Sequence, residues 1–504
     1  MASFIRRVPT ASGARAVQIV HKQGRRVTAI EHIGSAHTDA ELALLSEIAR
    51  QRLHEGQQTL EFLAATPGQT KAAGGARVVD TRSQLLWQVL QDAYARLRFS
   101  AVSDEAFAAL VLARIIEPTS KADSIRVLAE LGIAAPSLRT IFRALGRCIE
   151  RDYRDTLATA CLAYSASTAA GKAALVLYDC TTLYFETDTE DQLRKVGMSK
   201  ERRVDPQIQV GLLVDPGGFP LEVHCFEWNK AETTTLIPVL NAFQQRHGVT
   251  DMVVVADAGM LSAGNLNALE DAGFSFIVGS RISKAPYDLA EHFERHGDYF
   301  ADGQILESAR VMGTGKAARS RRVVYQYVFK RAQRDNRAIN AMIERAEKVA
   351  DGTRPIKKDR FVKLDGATKS VDWDLVGRAR QLAGLKGYVT NIDPKTMTGQ
   401  AVISAYHDLW QVEKSFRMAK SDLRARPIFH HQRESIEAHL TIVFAALAIS
   451  RHLQDLTGVS IKKIVRALRP LQTVTIEIAG HTFTAEPTLT TAAREILSEL
   501  PRGD

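Results

Sequence analysis

The sequence predicts a multidomain α/β protein, in which an α/β core is interrupted by a β-rich basic insertion and preceded by a small β-sheet and a helical region. Three observations carry this. Short alternating strand patterns open the chain, helical periodicity then dominates to about residue 165, and from about 172 apolar strands alternate with helices. The 504 residues allow roughly two to four domains, and 45% hydrophobic with 24% charged residues is ordinary globular composition.

Residues 1–36 read as a three-stranded sheet (4–8, 15–20, 25–33) with turns at Ser12-Gly13 and Gln23-Gly24. Arg6, Arg7, Lys22, Arg25 and Arg26 make one edge basic, either a nucleic-acid contact or a solvated face. Residues 37–165 form the helical region: a helix at 37–66, a Pro/Gly/Ala-rich link at 67–75, then further helices. Within it, 119–147 reads as helix, Gly132 turn, helix, which fits a helix-turn-helix reader or an ordinary helical hairpin. Arg139 and Arg143 are the side chains that would face DNA in the first case.

The core begins at 166–283. Strands at 174–185, 207–214 and 219–228 are joined by short links, the second being the turn Asp215-Pro-Gly-Gly218. A helix at 233–246, a strand ending at Asp257, a helix at 262–272 and a strand at 274–281 follow. That order is the one of a ribonuclease-H-like sheet, whose first and fourth strands are neighbours, so Asp179 and Asp257 are expected side by side. Residues 284–398 are the insertion. Its strands (323–329, 387–392) accompany a basic run of Lys316, Arg319, Arg321, Arg322, Lys330, Arg331, Arg334 and Arg337, opposed by Asp335 alone. The run is either a solvated face or, with its interleaved tyrosines, a nucleic-acid surface. The core resumes over 399–469, with one helix from 399 to just before Pro427, and 470–504 reads as a hairpin and a final helix.

The longest apolar helical stretch, 440–449, falls short of the roughly 18 to 20 residues that span a bilayer. The N-terminus lacks a signal core, and a cytoplasmic protein is expected. Cys148, Cys161, Cys180 and Cys225 show no CxxC pairing, which suits a reducing compartment and suggests no zinc site. A net charge of +9 favours a polyanionic partner, most simply nucleic acid.

Three acids stand out. Asp179 lies inside the apolar run 174–184, Asp257 ends the run 252–257, and Glu413 sits on the helical pattern 406–420. Carboxylates in buried strands need a compensating charge. Oxygen-only donors suit Mg²⁺ or Mn²⁺, and two such ions about 4 Å apart serve phosphoryl transfer. Asp179 would bridge them, with Asp257 and Glu413 each holding one. Tyr406, Trp410, Glu413, Phe416 or Arg417, and Lys420 recur at helical spacing. A structural account has Trp410 and Phe416 packing on the sheet and Glu413 pairing with Arg417; a catalytic account sets Arg417 and Lys420 on phosphates with Tyr406 close by.

Tyr406, Leu409, Glu413 and Lys420, within Trp410-Gln-Val-Glu-Lys-Ser-Phe-Arg, resemble the Y-R-E-K signature of bacterial insertion-sequence transposases, departing at Leu409 where the commoner pattern has arginine. Asp179 in Tyr-Asp-Cys-Thr-Thr and Asp257 in Ala-Asp-Ala-Gly-Met are similar to the first two acids of those DDE enzymes, and the long stretch from Asp257 to Glu413 resembles members with a β-rich insertion. The resemblance spans roughly 170–450. It implies metal-dependent nicking at the element's ends and attack by the freed 3′-OH, commonly through a hairpin, then joining to target DNA. Terminal inverted repeats, target DNA and a homodimer in a synaptic complex are the implied partners, with no membrane, and a bacterial, nucleoid-associated location. A hairpin needs a flipped base stacked on an aromatic ring, for which Trp373 is the candidate. The alternatives are a DNA-binding relic of a transposase and a ribonuclease-H-like nuclease without strand transfer.

Overall fold

A computed structural model of the chain describes residues 2–10, 13–24, 26–54, 77–168, 175–187, 189–196, 205–227, 232–249, 252–357, 359–366, 368–478 and 481–501. The expected link at 67–75, the end of the expected helix 37–66, Ser12 and Arg25 lie outside these residues. The elements run β1 (Ala2–Pro9), β2 (Arg15–Gln23), β3 (Arg26–Ala36), α1 (Asp39–His54), β4 (Arg77–Arg82), α2 (Gln84–Arg96), α3 (Glu105–Ile116), α4 (Ser124–Glu130), α5 (Leu138–Glu150) and α6 (Tyr153–Thr168). Next come β5 (Leu175–Tyr184), β6 (Gln207–Val214), β7 (Pro220–Glu227), α7 (Glu232–His247), β8 (Val253–Ala256), α8 (Ala263–Asp271), β9 (Ser275–Ser280), α9 (Ala285–Asp288) and α10 (Ala290–His296). Then follow β10 (Ile305–Met312), β11 (Arg319–Tyr327), α11 (Phe329–Ala350), β12 (Val362–Asp365), β13 (Thr368–Val371), α12 (Trp373–Gln381) and β14 (Leu385–Thr390). The last are α13 (Gly399–His407), α14 (Trp410–Arg417), α15 (Arg433–Thr457), α16 (Ile461–Leu468), β15 (Thr473–Ile478), β16 (His481–Ala485) and α17 (Thr491–Glu499).

The chain is mixed α/β with several sheets, as its alternation predicts. It divides into two compact units: 1–156 with 422–424 and 438–504, and 157–421 with 425–437. In the first, β1, β2 and β3 form an antiparallel sheet whose inward residues Val17 and Ile19 meet Leu42 and Ala49 of α1. Strand β4 pairs with β15, and β16 completes that sheet, so the C-terminal hairpin returns to residues 77–82. The helix expected from 119 starts only at Ser124, after a turn in which Thr119 bonds Asp123; Gly132, at φ +72°, ends the segment. By length and composition α15 could cross a membrane, contrary to the expectation from 440–449, but its apolar window is 94% buried within the fold, as a core helix's is.

The second unit is organised by an eight-stranded sheet in the order β10-β11-β14-β9-β8-β5-β6-β7. Strands β5, β6 and β7 pair antiparallel; the Asp215–Gly218 turn between the last two is closed by Gly218 N–H to Asp215 O (2.8 Å), with Gly218 at φ +84°. Strand β8 lies parallel to β5 on one side and to β9 on the other, and a helix (α7, α8) leads into each, as parallel pairing requires. Every residue of β6 is buried. The segment 284–398 is not a separate β-rich body: β14, β11 and β10 continue the sheet beyond β9 and satisfy an edge that would otherwise be open. Only α11, the β12–β13 hairpin and α12 cluster apart, around Ile339, Ile343, Phe361 and Val376.

Candidate active site

The β5–β8 register brings two of the predicted acids level. It runs Leu175↔Val253, Val176↔Val254 and Leu177↔Val255, and continuing it by two residues, past the end of β8, would set Asp179 opposite Asp257. Adjacent strands lie about 4.8 Å apart, so this register would make the two neighbours just beyond the last β5–β8 pair. Asp179 is half-buried and its Oδ1 accepts the Cys180 N–H (2.8 Å); Asp257 is exposed and caps the short turn that follows β8, accepting the Gly259 N–H (2.7 Å). Asp257 thus reaches the surface just past the end of β8, while Asp179 stays within β5, half-buried, as its apolar run suggested.

The third acid comes from the helical segment, which is not the single helix expected. Helix α13 ends at His407, the chain tightens through Asp408 and Leu409, α14 follows, and a π-helical turn occupies Met418–Asp422. Leu409 N–H bonds Tyr406 O and Val412 N–H bonds Leu409 O, i−3 contacts that rotate one helical face against the other. Leu409, in the arginine position of the signature, is packed in the core. Helix α14 lies on β5 and β6 through buried Val412 and Phe416, and Ser415 Oγ donates to Gly218 O (2.8 Å). Glu413 and Arg417 face solvent and form no ion pair with each other among the described residues. Trp410, placed on the sheet in the structural account, is 52% exposed with the Lys414 ammonium 5.4 Å from its ring centroid.

Tyr406 ties the three acids together. Its hydroxyl lies over Gly279 of β9, where an added Cβ would sit 2.7 Å away. Burial, then the negative charges of Asp257, Glu413 and Asp179, push its phenol up to about 12, while Arg331 opposes them. All three carboxylates therefore act on one hydroxyl. No three His, Cys, Asp or Glu side chains among the described residues are grouped tightly enough to cage one ion. The oxygen-only donor set and the level aspartates suit ions held by pairs of carboxylates instead.

Three side chains that the sequence reading did not assign to the site also gather here. Lys386 of β14 has its Nζ 4.5 Å from the Tyr406 ring centroid, and Tyr388 packs on Tyr406 with centroids 4.8 Å apart. Burial and then Arg331 push the Lys386 ammonium below its usual range, and Glu413 resists that shift. His407, whose Nε2 is 3.3 Å from the Tyr388 hydroxyl, is likewise lowered by burial and then by Lys386. The legible signal was a lysine inside the apolar strand Leu385-Lys-Gly-Tyr-Val.

The remaining candidates lie elsewhere. Lys420 sits half-buried in the π-helical turn. Arg321 is not available to DNA: its side chain is fully buried, with Nε to Glu270 (2.8 Å) and Nη2 to Asn267 and Glu270. Arg322 is bound as a fork to Glu307 and to the carbonyls of Ile392 and Met397. These arginines answer acids of α8 and β10 because β11 lies inside the sheet, not on a free face. Trp373 is 59% exposed and opens α12, which packs on α11. Arg139 and Arg143 are exposed on α5 beside exposed Leu138 and Phe142, while Ile141, Ala144 and Leu145 face inward.

Residues 171–449, more than half of the chain, match the family described as the transposase DDE domain. No curated protein matches the chain. Among solved structures, a cryo-EM structure of a piggyBac transposase synaptic complex with hairpin DNA is similar at 11% identity and a TM-score of 0.36, covering 75% of this chain and 70% of that one.

Proposed function

The chain belongs to the transposase DDE domain family, and on that footing we propose that it cleaves the ends of an insertion sequence of the Y-R-E-K group and joins them to target DNA. The observation that carries this is the family match over residues 171–449, which takes in Asp179, Asp257 and Glu413, with the first two placed by the parallel neighbours β5 and β8. The strand order, three antiparallel strands with the fourth parallel to the first, supports a ribonuclease-H-like core that β14, β11 and β10 extend.

Two divalent ions, Mg²⁺ or Mn²⁺, would be held by Asp179 with Asp257 and by Asp179 with Glu413, supplying Lewis-acid stabilisation of attacking and leaving oxygens. The chain's own residues bind and orient. Tyr406, wedged between Gly279 and Tyr388, sets the position of α13 against β9. Ser415 sets α14, and with it Glu413, against the β6–β7 turn. Arg417 and Lys420 follow Glu413 at the spacing that suits phosphate contacts. Each step replaces one phosphodiester P–O bond by another, or by a P–O bond to water, so a single site serves cutting and joining with no further co-reactant. Exposed Arg139, Phe142 and Arg143 on α5 and the +9 charge support recognition of terminal repeats by the N-terminal region. Joining two ends calls for a homodimer in the synapse, acting on the bacterial nucleoid.

The test is cleavage, with Mg²⁺, of a duplex carrying the terminal sequence that flanks the gene. The native protein is expected to cut at the repeat end and Glu413→Gln to lose about a thousandfold or more of that rate while binding equally well. A native protein that binds the duplex and leaves it intact with Mg²⁺ and Mn²⁺ would make it a DNA-binding relic; cutting without joining would make it a nuclease.

A further inference from the structure

Two cations of the second unit act on the Tyr406–Tyr388 pair: Lys386 lies against both rings, and Arg331 bears electrostatically on Lys386 and Tyr406. Lys386 Nζ is 4.5 Å from the Tyr406 ring centroid and 5.6 Å from that of Tyr388. Arg331, in the first turn of α11, is brought to the same place by the start of β14. Its Nε is 3.6 Å from Asp335, whose carboxylate accepts the Gly384 N–H (3.2 Å), and Val328 N–H bonds Gly384 O (3.0 Å). Gly384 permits this closeness: it has φ +89°, and a Cβ there would meet Tyr327 and Ala332 within 3 Å. At 3.6 Å the Arg331 Nε–Asp335 contact is an ion pair longer than a hydrogen bond, and the Arg331 side chain is 36% exposed.

Holding two like charges near one aromatic pair costs energy in the protein alone. The acids on the same face are the centre at which a DNA strand would be cut, and none of these five side chains is fully buried. A ligand that places its own negative charge between cations and acids satisfies the arrangement. We infer that Lys386 and Arg331 form a phosphate clamp for the DNA strand entering the acid site, with the Tyr388–Tyr406 pair as its floor. Lys386 supplies a point charge over an aromatic face, and Arg331 supplies the terminal nitrogens of its partly exposed guanidinium. The inference rests on the proposed DNA-cleaving function and deepens it: the clamp contacts backbone, so it adds affinity without reading sequence.

The experiment is the salt dependence of binding to the same terminal duplex in EDTA, for the native protein, Lys386→Gln, Arg331→Gln, the double variant and Lys386→Arg. Each glutamine variant is expected to flatten the slope of log K against log salt by about 0.9, the double variant by roughly twice that, and Lys386→Arg to keep the native slope. Thermal melts accompany each variant. If Lys386→Gln does not fold, Arg331→Gln on the partly exposed helix start carries the same expectation. Native cutting with unchanged slopes in folded glutamine variants overturns the clamp and leaves the transposase reading intact. A native protein that neither binds nor cuts the duplex overturns both.

Discussion

Asp104 caps α3 and accepts from the Phe107 N–H (3.1 Å), the Arg147 guanidinium (2.8 Å) and the Tyr153 hydroxyl (2.9 Å), with its carboxylate 4% exposed. Burial alone would raise its pKa, but these three donors outweigh it and hold the carboxyl below its ordinary value. A depressed folded pKa means that the contribution is complete above the unfolded value, about 3.9, and is lost as pH falls below it through the folded value. Asp104→Asn is expected to cost about 2 kcal/mol at neutral pH, with the gap to the native protein narrowing below about pH 4. Urea unfolding at pH 7 and pH 3 measures both; an equal gap at the two pH values would remove the charge from the account. At this same scale the acids were legible, because Asp179 and Asp257 interrupt apolar runs and Glu413 sits in a signature pattern. Arg321 and Arg322 misled because a basic run in sequence says nothing of the acids that α8 and β10 bring to it.

Between elements, the α13–α14 break decides which helical positions meet the sheet. With the i−3 contacts at Leu409, Phe416 faces inward and Trp410 outward, where the structural account of the sequence set both on the sheet. The contact of α13 with β9 depends on the missing side chain of Gly279, beneath the Tyr406 hydroxyl. Gly279→Ala would press that hydroxyl, and Tyr388 and Lys386 hold the ring from other sides, so a cost of about 1–3 kcal/mol is expected. Displacing Tyr406 disturbs α13 beside the acids, so cutting should fall further than duplex binding. The ratio of the two in Gly279→Ala measures this; equal losses would make the glycine a matter of stability alone.

For the molecule as a whole, the chain is closed by contacts between its distant parts. Within the first unit, Arg469 reaches Glu117 (2.9 Å) and Glu130 (3.1 Å), and Arg126 pairs with both acids from the other side. Arg469→Met leaves those acids with one cation, and with Arg126 still in place a loss of about 2–3 kcal/mol is expected. Hydrogen exchange should then quicken in β4, β15 and α16 and stay unchanged in β5, β6 and β8. Uniform acceleration in all six would show that the two units unfold as one.

The sequence by itself determined the local matters: the existence and kind of most elements, the hairpin at Asp215–Gly218, and the acids that interrupt apolar patterns, because periodicity, turn chemistry and charge in an apolar setting act over a few residues. Only the tertiary structure decided what distant segments do together. Strands β10, β11 and β14 joined the central sheet because an open edge pairs with whatever strand can reach it; the C-terminal hairpin took β4 as a partner for the same reason. Lys386 and Tyr388 came against Tyr406 because the β11–β14–β9 pairing is set by backbone hydrogen bonds across long separations, which no local pattern encodes.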